Sequence, residues 1–147
     1  MTKEMFISDD ISQKIQKFDS IIFDCDGVLV DIRNSYDYAI NKTISAIMKE
    51  LFNDEIKDVV TSKTHFGLKS VGGFNDEVAV VYAIVMTLAA SKKSKIEFEK
   101  LIVDVISNAN ESGINSIDNY FKDQNIDLME IKLKFDYENS RKVSYIH

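Results

Sequence analysis

The sequence predicts a mostly α-helical protein, a helical bundle preceded by one strand near the N-terminus. Three observations predict it. Apolar residues recur at helical spacing over most of residues 34–135. Ile21-Ile22-Phe23 is instead a continuous apolar run closed by polar residues and Gly27, the pattern of a strand covered on both faces. No proline occurs in 147 residues, so element boundaries must come from caps, glycines and changes of period.

The elements follow in order. Residues 8–18 read as a short amphipathic helix, with Ser8 or Asp9 as N-cap and Ile11, Ile15 and Phe18 on one face. The strand follows at Ser20, Ile21, Ile22, Phe23 and Asp24. Residues 34–52 turn helical again: Ile40, Ile44, Ile47, Met48, Leu51 and Phe52 form a stripe behind an Asn34 or Ser35 cap. A second short helix is expected over 53–60. Residues 61–75 have loop chemistry, with Gly67, Gly72 and Gly73 among polar residues. Asn75 or Asp76 then caps a very apolar helix over 78–90, which at thirteen residues is too short to span a bilayer. Residues 94–108 form another amphipathic helix, Gly113 breaks the pattern, and 115–122 and 127–135 are two more short helices. Residues 137–147 show no period.

Composition bounds the function. A hydrophobic share of 45% and a charged share of 29% describe a soluble globular chain with a core of its own. The formal net charge of −6 argues against a general nucleic-acid-binding surface. Cys25 is the single cysteine, which excludes an intramolecular disulfide framework and suits a reducing compartment. Residues 1–10 are polar and acidic rather than signal-like. A cytoplasmic protein that binds neither nucleic acid nor membrane is the expectation.

One stretch carries chemistry. Asp24 and Asp26 lie two apart at the end of the expected strand, and Gly27 permits a sharp turn after them. The carboxyl end of a parallel strand is where open α/β sheets bind ligands. Two carboxylates that close repel, so one is protonated or a cation sits between them. Mg²⁺ suits the second case as a hard ion that takes oxygen ligands. A carboxylate can attack phosphorus, and a second can move the protons.

The string Phe23-Asp24-Cys25-Asp26-Gly27-Val28-Leu29-Val30-Asp31 resembles the first motif of the haloacid-dehalogenase-like hydrolase superfamily at every defining position. The resemblance implies Asp24 as nucleophile, Asp26 as general acid/base, and Mg²⁺ held by both, Asp26 through its backbone carbonyl. An Asp at the second position goes with phosphoryl rather than halide chemistry. The implied substrate is a small phosphorylated metabolite. The resemblance also implies the layout: residues 1–32 as an N-terminal fragment of the family's Rossmann-like α/β core, 33–138 as a helical cap that selects substrate, and 139–147 as a return to the core or a tail. Gly72-Gly73-Phe74-Asn75-Asp76 resembles the loop and helix start found in caps of one branch.

The family's later motifs are not visible: a Ser or Thr ending a second strand, a Lys, and an acidic pair. Thr43, Thr61, Thr64, Lys63 and Lys69 all fall in cap-like sequence and receive no motif role. One strand alone makes no stable sheet. Two readings follow: an incomplete phosphatase, complemented by a second core-domain chain or a homo-oligomer, or a cap-like helical module that is inactive alone and acts in oligomerisation or partner binding. Of the remaining residues, His65 is expected to be a solvated loop histidine, Cys25 a small buried side chain, and Lys92, Lys93 and Lys95 a solvated linker. Tyr36, Tyr38, Phe74 and Tyr82 are expected in core packing.

Overall fold

A computed structural model describes residues 11, 14, 17, 19–25, 28–31 and 33–135, and the chain divides into two compact units, Met1–Ile32 and Arg33–His147. The regular elements described in the second unit are all helices: α1 (Arg33–Phe52), α2 (Ser62–Lys69), α3 (Glu77–Ser94), α4 (Phe98–Asn108), α5 (Ile114–Asp123) and α6 (residues 129–135). Among the described residues there is no strand, only an isolated bridge position at Val30.

α3 is the hub. It packs against α1, α2, α4 and α5, and every residue from 79 to 90 is buried. A helix apolar on all sides is stable only when surrounded, and here it is. Its two polar side chains inside that run are both satisfied. Thr87 Oγ1 donates to the Ala83 carbonyl at 2.7 Å, and the Tyr82 hydroxyl donates to Asp118 Oδ1 at 2.5 Å. α1 faces it with Ile40, Ile44 and Met48, four residues apart each time. α4 contributes Leu101, Ile102 and Val105, α5 Ile117 and Phe121, and α6 Ile131 and Phe135.

Helix starts are set by local chemistry. The Asp76 carboxylate accepts the amides of Val78 and Ala79, Thr61 accepts that of Thr64, and Asp127 accepts that of Met129. α3 runs to Ser94, past the expected end at residue 90, and stops where Lys95 turns left-handed (φ 59°). α4 accordingly starts at Phe98 rather than residue 94.

Two expectations exchange places. Residues 53–60 are not helical, because Asn53 and Asp58 both adopt φ 51°, the left-handed region that Asn and Asp tolerate. Instead α2 forms inside the stretch expected to be loop. The loop before it is held to α1 by Asn41. That side chain accepts the Val60 amide at 2.8 Å and donates to the Val60 carbonyl at 2.9 Å, as a neighbouring strand would.

Gly73 and Gly113 join two loops backbone to backbone. A Cβ on Gly73 would stand 2.5 Å from both the Asn110 carbonyl oxygen and the Gly113 nitrogen. Only glycine fits such an approach.

In the first unit the expected strand is absent. Residues 20–24 carry no regular structure, and Ile22 and Phe23 are 96% and 61% exposed. A strand needs partners for its amides and carbonyls, and no strand in the described chain supplies them. Ile11 and Lys14 have helical backbone; the rest of the expected 8–18 helix, and the segment 137–147, lie outside the described residues.

Candidate functional site

Asp24 lies in an exposed segment. Its Oδ1 accepts the Cys25 amide at 2.8 Å, and the Cys25 carbonyl accepts the amides of Leu29 and Val30, both at 2.9 Å. Leu29 and Val30 thus meet Cys25 directly after Asp24, which is itself exposed. Cys25 is exposed, not the buried filler expected of it. Asp26 and Gly27 lie outside the described residues, so the geometry of the Asp24 and Asp26 pair is not described. Among the described residues no group of three His, Cys, Asp or Glu side chains converges as a metal site. Asp24 alone is a hard oxygen donor of the kind Mg²⁺ takes.

The helical unit holds a polar cluster that sequence spacing did not reveal. Asp37 on α1 accepts the Ser62 hydroxyl at Oδ2 (2.6 Å) and meets His65 Nδ1 at Oδ1 (2.8 Å), both from α2. A carboxylate only accepts, so Nδ1 carries the hydrogen of this bond. Nε2 is buried and has no hydrogen-bond partner among the described residues. His65 is thus a helical residue with its side chain 15% exposed, clamping α2 onto α1, rather than a solvated loop histidine. Partners 25 and 28 residues apart leave no local pattern to read.

The Gly72-Gly73-Phe74-Asn75-Asp76 stretch has a structural task at nearly every position. Gly72 takes φ 91°, Gly73 makes the close approach, Phe74 is fully buried, Asn75 Nδ2 donates to the Gly72 carbonyl, and Asp76 caps α3. Lys69 is tied to Glu77 at 2.5 Å and to the Asn75 carbonyl at 3.2 Å, with its ammonium 6.0 Å from the centre of the Tyr36 ring. Lys92 and Lys93 belong to the last turn of α3, not to a linker: Lys92 pairs with Asp54, and Lys93 donates to the Asp127 carbonyl at 2.6 Å. Tyr82 and Phe74 are core residues as expected, whereas Tyr38 is exposed and Tyr36 half-buried.

Among the described residues two groups titrate away from their ordinary values. Burial, and then the nearby Asp104 carboxylate, push the Tyr120 phenol up. The hydrogen bond from Lys134, then its charge, hold Glu130 down. Both belong to the helical unit and lie far along the chain from Asp24.

No helix among the described residues is long and apolar enough to cross a membrane. No family model, no curated protein and no solved structure matches this chain.

Proposed function

We propose that the chain belongs to a cytoplasmic Mg²⁺-dependent phosphatase of the haloacid-dehalogenase-like type, acting on a small phosphorylated metabolite. The observation that carries this reading is the string of residues 23–31, which meets the motif at each defining position. The exposure of Asp24 supports it, since a nucleophile must be reached by its substrate. An Asp24 carboxylate oxygen attacks phosphorus as the bond to the leaving oxygen breaks, and the Asp26 carboxyl gives that oxygen its proton. Asp26 then takes a proton from water, which attacks phosphorus, breaks the aspartyl–phosphate bond and releases phosphate. Mg²⁺ held by Asp24 and the Asp26 carbonyl would offset repulsion between carboxylate and phosphate. The helices from Arg33 onward act as the substrate-selecting lid.

A second reading has its own observation. Ile21, Ile22 and Phe23 are exposed together, a surface that adjoining strands of a complementing core-domain chain or a second copy would cover. On that reading the chain is a helical module, inactive alone. The discriminating experiment incubates the purified chain with Mg²⁺ and a generic phosphomonoester beside Asp24→Asn. Turnover that vanishes in the variant supports the enzyme; equal background in both supports the module.

A further inference from the structure

The geometry points to a second binding site, in the helical unit, for a small carboxylic acid with an apolar body. A cavity of about 520 Å³ opens between α3, α5 and the start of α6. Small-molecule sites span roughly 300–1,000 Å³, so the space suits a compact ligand. Met86, Phe121, Ile126, Leu128 and Met129 form its apolar wall. Two of these are methionines, whose unbranched thioethers adapt to the shape of what they meet. The wall is held in place by backbone: Asn125 takes φ 56°, and the Ile126 amide donates to the Phe121 carbonyl at 2.9 Å.

The polar lining decides the ligand's chemistry. One of its acids is engaged at both oxygens and the other at one. Asp118 accepts from Tyr82 at one oxygen and from Lys132 at the other, and Asp127 Oδ1 accepts the Met129 amide at 3.0 Å. Its donors are not matched in the same way. Lys132 carries three N–H groups and gives one to Asp118. The Lys122 ammonium and the Asn125 amide line the same space, and neither has a side-chain hydrogen bond or ion pair among the described residues. Spare donors beside an apolar wall favour a ligand that brings acceptors and negative charge. An alkylammonium of the same length would find Asp118 taken at both oxygens and only Asp127 Oδ2 open, on the residue that already caps α6.

The test is a titration of the full chain, ¹³C-labelled at its methionine methyls, with octanoate and with octylamine as the charge-reversed probe. Octanoate should move the Met86 and Met129 resonances and leave the core residue Met48 in place. Octylamine should bind about tenfold more weakly. Lys122→Glu, an exposed change, should weaken octanoate about 3- to 10-fold without altering the melting temperature. Met129→Glu, also exposed, places a carboxylate at the mouth and should weaken octanoate but not octylamine. Equal binding of the two probes, movement of Met48 with the rest, or no movement at millimolar octanoate overturns the proposal.

Discussion

Two apolar stretches of this chain meet opposite fates. Residues 79–90 are buried without exception, while Ile21, Ile22 and Phe23 stand largely in solvent. Hydrophobicity does not separate them; backbone hydrogen bonding does. A helix pairs its own amides and carbonyls, so α3 needs only apolar neighbours, and α1, α2, α4 and α5 supply them. A strand depends on other strands for its hydrogen bonds, and 20–24 has none among the described residues. Burial thus follows from what an element can satisfy by itself as much as from its composition.

The comparison can be broken by mutation, and the largest effect is expected at paired phenylalanines. Phe74→Ala should cost about 3–5 kcal/mol, because a fully buried ring is lost and a cavity remains. Phe23→Ala should stay within about 0.5 kcal/mol. Urea unfolding measures both. An equal cost at the two positions would mean that Phe23 is packed in solution, and the contrast would fail.

Gly73→Ala comes next. A methyl group there meets rigid backbone at 2.5 Å, so about 3 kcal/mol should be lost, read as a drop of roughly 10 °C or more in Tm. Asn41→Ala should cost about 1–3 kcal/mol by orphaning the buried amide and carbonyl of Val60. If the loop before α2 is instead free to find water, calorimetry will show no change.

The smallest effect is a pH dependence at Tyr120. Burial and Asp104 raise its phenol above the ordinary value of 10.0 in the folded chain. Its contribution is therefore fully present below that ordinary value and is lost as pH rises through the higher folded value. Denaturant midpoints between pH 9 and 11 should fall less steeply in Tyr120→Phe than in the parent chain. Identical slopes would remove Tyr120 as the cause.

Much of the helical unit was legible because its signals are local. The stripe of Ile40, Ile44 and Met48, the Asp76 cap and the uninterrupted apolar run after it each lie within a few residues. Where the reading went astray, distant groups decided. Residues 53–60 have helical composition, yet Asn53 and Asp58 turn left-handed and Asn41 captures Val60 from nineteen residues away. Residues 61–75 look like loop by glycine content, yet Thr61 caps α2 and Asp37 anchors it through Ser62 and His65. For the candidate site the sequence offered more than the fold: Asp24 and Asp26 are chosen by motif, and the structure adds an exposed Asp24 whose Oδ1 accepts the Cys25 amide.

By itself, then, the sequence determined a helical bundle, the apolar buried helix at its centre and the Asp76 cap that starts it. These depend on periodicity and on neighbours within one turn of chain. Tertiary structure alone decided that Ile22 would be exposed while Val85 is buried, that His65 would clamp two helices, and that Gly73 must have no side chain. Each depends on which groups distant in sequence come within hydrogen-bond or van der Waals reach, and no spacing in a single chain encodes that directly.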